Sequence, residues 1–229
     1  MRWYVLGLVW TVVACNESVE STDVRTTGIY PEITVTADGS GSSRVRVRLK
    51  VGGSGSNTFL DLKGGDELTA TVDDVTKVLD ETSDETYTAS FPVDEEGTEF
   101  TIAFLREDDD SAPASTVALP APFALAVSPT EASRASDDVE LSWDPPESGD
   151  VAFAMSGECI QRDTDDLPDD GSHTLAAGSI ETFESDKDDS CTVTVSLERA
   201  QRGTIDAAFT EGGRIEAVQV RTDTFTSEP

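Results

Sequence analysis

His173 is the one side chain in this 229-residue sequence whose ordinary pKa lies near neutrality, so nucleophilic hydrolysis has a single candidate base. It stands between Ser172 and Thr174 on a polar turn, the setting of a surface residue. No Gly-x-Ser-x-Gly elbow, phosphate-binding loop or dinucleotide fingerprint accompanies it. Zinc is no better served, because one histidine and the cysteines Cys159 and Cys191 do not make up the usual four-ligand set. Carboxylates are abundant, 46 Asp and Glu in all. Some pair will lie at a glycosidase-like separation by chance, so their number carries no signal. A sugar-binding cleft would also want exposed aromatic rings, and Trp143 reads as a core residue. The expectation is therefore no catalytic residue and no enzyme, with a carboxylate-dependent envelope glycoside hydrolase as the competing class.

Two charged constellations remain. The run Asp163-Thr164-Asp165-Asp166-Leu167-Pro168-Asp169-Asp170-Gly171 offers hard oxygen ligands on what reads as a loop, and Asp186, Asp188 and Asp189 precede Cys191. An EF-hand is excluded, since starting at Asp163 puts Leu167 at a ligand position and Pro168 where the turn glycine belongs. A solvated acidic loop and a calcium-binding adhesion module are the two readings, and no metal ligand or cofactor is assigned. The second constellation is basic: Arg44, Arg46, Arg48 and Lys50 alternate with Val45, Val47, Leu49 and Val51. Like charges along one strand face repel. The structural reading puts acidic residues opposite them on neighbouring strands, each pair worth about 0.2 to 1 kcal/mol. The functional reading is a docking stripe for an acidic glycan or protein partner.

The overall charge bounds the partners. With 46 acidic and 16 basic residues the formal net charge is −30. Phosphate binding rests on Lys and Arg, so nucleic acid is not an expected partner, and an anionic membrane surface repels such a chain. Surface repulsion, adaptation to a salty medium and divalent-cation binding each account for such a charge. Disorder is disfavoured by the 37% of hydrophobic residues and their alternating arrangement.

The amino terminus carries Arg2, then the uncharged run Trp3–Ala14, then Cys15. This is the layout of a secretory signal. Twelve helical residues reach about 18 Å against a hydrocarbon core of about 30 Å, too short for a permanent span. The segment Val12-Val13-Ala14-Cys15 resembles the bacterial lipobox. That resemblance implies cleavage before Cys15 and a diacylglycerol on its thiol, and two or more acyl chains give stable anchoring. The alternative is an ordinary signal cut near Ala14 that leaves a free cysteine. Asn16, rather than aspartate, after the cysteine resembles the sorting pattern for the outer membrane. An exported chain meets an oxidising compartment, where Cys159 and Cys191 are expected to form a disulfide.

Behind these residues the chain alternates with period two almost throughout, and no window shows a helical stripe. Ile29–Ala37 and Arg44–Val51, separated by Asp38-Gly39-Ser40-Gly41, predict a hairpin. Further strands are predicted at Glu67–Val72, Thr76–Leu79, Thr86–Phe91, Glu99–Leu105 and Ser115–Leu119. In the second half they fall at Phe123–Val127, Asp138–Trp143, Val151–Ser156, Thr174–Ala176, Cys191–Leu197, Thr204–Phe209 and Ile215–Thr224. Val139-Glu140-Leu141-Ser142-Trp143-Asp144-Pro145-Pro146 resembles the second strand of a fibronectin type III module, although Val151–Met155 lacks the tyrosine usual in the next strand. Gly64–Asp66, Ser156–Ile160, Asp169–His173 and Gln219–Thr222 resemble uncharacterised envelope lipoproteins of myxobacteria-like Gram-negative bacteria, which implies a location rather than a chemistry.

The resulting expectation is all-β: a signal peptide over 1–14, a flexible tether over 15–28, and two tandem immunoglobulin-like or fibronectin type III-like β-sandwiches over 29–119 and 120–229. The expected role is a lipid-anchored binding, adhesion or structural module of the cell envelope, at the outer membrane. Its expected partners are the membrane, through the lipid, and a protein or glycan.

Overall fold

The computed structural model describes residues 17–82, 85–183, 185 and 188–229. In the first half the strands are β1 (Glu17–Glu20), β2 (Ile29–Ala37), β3 (Ser43–Val51), β4 (Thr58–Asp61), β5 (Glu67–Val72), β6 (Val75–Val78), β7 (Asp80–Glu81), β8 (Thr86–Phe91), β9 (Glu99–Leu105) and β10 (Ala112–Ala118). The second half adds β11 (Ala124–Ser128), β12 (Glu131–Ser133), β13 (Val139–Asp144), β14 (Asp150–Gly157), β15 (Ile160–Pro168), β16 (Ser172–Leu175), β17 (Cys191–Arg202) and β18 (Arg214–Glu228). Two single 3-10 turns, Ser21–Asp23 and Thr26–Gly28, are the helical elements among the described residues. The chain is all-β.

One large sheet runs β1-β4-β3-β2-β18-β17-β14-β15, with β8 also on β3, β7 on β8 and β12 on β18. Against it lie a four-stranded sheet, β10-β9-β5-β6, and a three-stranded one, β11-β13-β16. The alternation of β2 and β3 explains their place. Ile33 faces Val47 and Val35 faces Val45 across the hairpin, all buried, and they meet Phe100, Ile102 and Phe104 of β9 in the first core. A second core gathers Leu141, Trp143, Phe153, Met155, Val195, Leu197 and Phe225.

The two cores are not divided at residue 120. Phe209, Ile215 and Ala217, placed by the sequence in the second sandwich, are buried in the first core. The reason is β18, which pairs in parallel with β2 through its first six residues and antiparallel with β17 along twelve. A carboxy-terminal strand thus closes the amino-terminal sandwich, and the large sheet is continuous through both.

Residues 17–28, expected as tether, are packed into the fold. β1 pairs in parallel with β4, and Ser21 and Thr26 are fully buried. Arg106 holds this segment. Its guanidinium donates to Asp66 Oδ2 (3.0 Å), to the Val24 carbonyl (2.8 Å), to Thr26 Oγ1 (3.1 Å) and to the Ser21 carbonyl. The Arg106 and Asp66 side chains are 2% and 3% exposed.

Thr204–Phe209, predicted as a strand, forms only an isolated bridge between Thr204 and Thr116. A Cβ at Gly203 would lie 2.0 Å from the Thr116 carbonyl oxygen, so only glycine lets the chain pass this close.

Candidate functional site

The outer face of the large sheet is built by β18, β2, β3 and β8, whose inner faces make the first core. Because successive side chains on a strand point to opposite sides, burying Val45, Val47 and Leu49 turns Arg44, Arg46, Arg48 and Lys50 outward. The register sets their neighbours. Arg44 lies between Thr36 of β2 and Ser90 of β8, Arg46 between Thr34 and Thr88, and Arg48 between Glu32 and Thr86. Lys50 lies between Tyr30 and Phe59. On the far side of β2, β18 adds Arg214 beside Glu32 and Glu216 beside Thr34.

The row of acids expected opposite the arginines is therefore largely missing, and hydroxyls stand in its place. Ion pairs on this face join Lys50 to Glu32 (2.8 Å) and Arg214 to Glu216. Among the described residues Arg44, Arg46 and Arg48 have no carboxylate partner and make no hydrogen bond through their guanidiniums. Arg48 is nonetheless held in place, with its guanidinium 3.7 Å from the centroid of the Phe59 ring. Its Nε is buried without an acceptor. A concavity of about 250 Å³ is lined by Arg46, Arg48 and Arg214 together with Glu32 and Glu216, and one of about 400 Å³ by Arg44, Ser42 and Ser90 together with Asp38.

The other constellations resolve differently. Cys15 lies outside the described residues, as does Asp186. Cys159 and Cys191 are joined, Cα atoms 5.7 Å apart, tying the β14–β15 turn to the start of β17. The acidic run Asp163–Asp166 is not a loop but part of β15, the edge strand beyond β14. Its side chains leave on alternate sides, and no group of three or more His, Cys, Asp or Glu converges to hold a metal among the described residues. Asp169, 3% exposed, is committed to structure: its carboxylate accepts from Arg199 Nε (2.6 Å), Arg199 Nη2 (2.9 Å) and Trp143 Nε1 (2.7 Å). His173 on β16 packs 6.1 Å from the Phe153 ring.

Sequence reasoning passed over Arg106 and Arg199. Each is a buried cation whose acidic partner lies 40 or 30 residues away; Arg199 falls on the buried face of the alternating strand β17, whereas Arg106 follows the end of β9 and no local pattern marks it.

No protein-family model and no curated protein matches the chain. Among solved structures, a β-glycosidase from Bacteroides vulgatus aligns with 88% of this chain at 11% identity and a TM-score of 0.24. The chain spans 24% of that protein's length. SGBP-B of the Bacteroides ovatus mixed-linkage glucan utilization locus, in complex with a mixed-linkage heptasaccharide, aligns with 98% of this chain and 69% of its own at 10% identity and a TM-score of 0.19. At these TM-scores neither alignment bears on function.

Proposed function

We propose that this protein is a lipid-anchored, non-enzymatic module of a bacterial cell envelope that uses the basic face of its large sheet to bind an acidic ligand. One observation carries the binding role: Arg44, Arg46 and Arg48 stand in a row without carboxylate partners on a molecule with 46 acids. Had the row served only the fold, acids opposite it would have stabilised the sheet; the register supplies threonine and serine beside Arg44 and Arg46, and the one acid opposite Arg48, Glu32, is paired with Lys50. The anchor rests on Val12-Val13-Ala14-Cys15 and the uncharged run before it.

The binding role is tested with the full chain in detergent on a carboxymethyl matrix at about 0.1 M salt, where the Debye length of about 10 Å lets a local patch act apart from distant charge. Despite a sequence pI of about 4.1, the protein is expected to be retained, and Arg44→Ser/Arg46→Ser to flow through. Flow-through of the unaltered protein rejects the binding face. The anchor is tested separately: Cys15→Ser is expected to leave the membrane fraction, and unchanged membrane association rejects lipidation.

A further inference from the structure

We infer that the ligand of this face is a carboxylate-bearing polysaccharide, held as an extended chain along β3; this rests on the binding role proposed above and names its ligand class. The face has the required periodicity. Alternate residues on a strand lie about 6.7 Å apart, and neighbouring strands about 4.8 Å apart. Arg44, Arg46 and Arg48 therefore form a linear array of cations, each flanked across the strand by hydroxyls or by Glu32. A guanidinium pairs bidentately with a carboxylate. Thr34, Thr36, Thr88 and Ser90 each donate and accept, the pairing that sugar hydroxyls require.

The position of the row argues against the other polyanions. β3 is hydrogen-bonded to β2 on one side and to β8 and β4 on the other, so an acidic peptide has no free edge on which to add a strand. Recognition must pass through side chains on a closed face. Single-stranded nucleic acid binds by stacking bases on exposed rings, and here Phe59 is buried beneath Arg48. The dense phosphate charge of nucleic acid also meets the largest repulsion from a molecule of net charge −30. Two concavities lie along the same row: one holds Arg46 and Arg48 beside Glu32 and Glu216, which are paired with Lys50 and Arg214, and the other holds Arg44, Ser42 and Ser90 beside Asp38.

The test is affinity electrophoresis or calorimetry of the full chain in detergent at about 0.1 M salt. The probes are polygalacturonate, its fully methyl-esterified form and polyglutamate. The expected result is binding to polygalacturonate, loss on methyl esterification, and weakening of at least about tenfold in Arg44→Ser/Arg46→Ser, the loss of one charge-assisted contact or more. Arg162→Ser, an exposed arginine on the remote strand β15, is expected to bind as the unaltered protein does. Both arginines of the double variant are exposed, so folding is checked by an unchanged melting temperature. Equal binding of the esterified polymer, or undiminished binding by the double variant, overturns the inference. Arg44- and Arg46-dependent binding to polyglutamate without binding to polygalacturonate overturns the glycan assignment and leaves the basic binding face standing. Failure to bind any of the probes overturns both.

Discussion

At the scale of single residues, buried ion pairs and not surface ones hold this acidic molecule together. Burial alone would raise the Asp169 carboxyl, but Arg199, the Trp143 N–H and the Glu147 backbone N–H outweigh it and hold its pKa below the ordinary carboxylate value. A depressed pKa stabilises the fold above the ordinary carboxylate range, and the contribution is lost as pH falls through the folded-state value. Asp169→Asn leaves the Arg199 charge buried without its counterion, at a cost of about 3 to 5 kcal/mol at neutral pH. Urea unfolding is expected to show this gap at pH 7 and its narrowing below about pH 4; a constant gap down to pH 2 would show that Asp169 is not the titrating partner. Tyr87 acts at the opposite end. Burial pushes its hydroxyl up to about 12, while it accepts from the Leu62 N–H and donates to the Leu60 carbonyl. Its contribution is complete below about pH 10 and declines as pH rises towards 12. Alkaline melts are expected to show a loss over that interval that Tyr87→Phe removes.

At the scale of elements, β15 gives the acidic run a physical role. It ends the large sheet, and an unpaired edge invites another chain to add to it. Asp163 and Asp165 stand opposite Met155 and Phe153 of β14, on the side that faces the core elsewhere along the sheet. Charges at such positions blunt an edge. Asp163→Val/Asp165→Val, at two exposed sites, is expected to fold and then self-associate with rising concentration in sedimentation velocity. A variant that stays as monodisperse as the parent would refute this role. The disulfide secures the same region: by the chain-entropy model its 32-residue separation corresponds to about 3 to 4 kcal/mol.

At the scale of the whole molecule, net charge and local patch oppose each other. The Debye length is about 30 Å at 0.01 M salt, about 10 Å at 0.1 M and about 3 Å at 1 M. At the lowest ionic strength the full charge of −30 repels a polyanion, and at the highest the arginines themselves are screened. Binding of polygalacturonate is therefore expected to peak near about 0.1 M salt and to weaken on either side. A monotonic fall from 0.01 M upwards would mean that the distant acids have no part in it.

What the sequence determined by itself is the part of the structure written in local alternation. Strands β5, β8 and β9 have the boundaries the pattern predicts, and the hairpin β2–β3 forms around Asp38–Ser42. Trp143 is buried as its place in the alternating strand implies, and Cys159 meets Cys191. Each of these follows from which face of a strand is apolar, a property of adjacent residues. Only the tertiary structure decided which strands are neighbours. It set threonines rather than acids beside Arg44 and Arg46, and made an acidic run an edge strand. It also sent β18 back to close the first core and brought Arg106 to Asp66 and Arg199 to Asp169. Those outcomes depend on register and on pairings between residues far apart in the chain, and a period of two is the same whichever neighbour a strand finds.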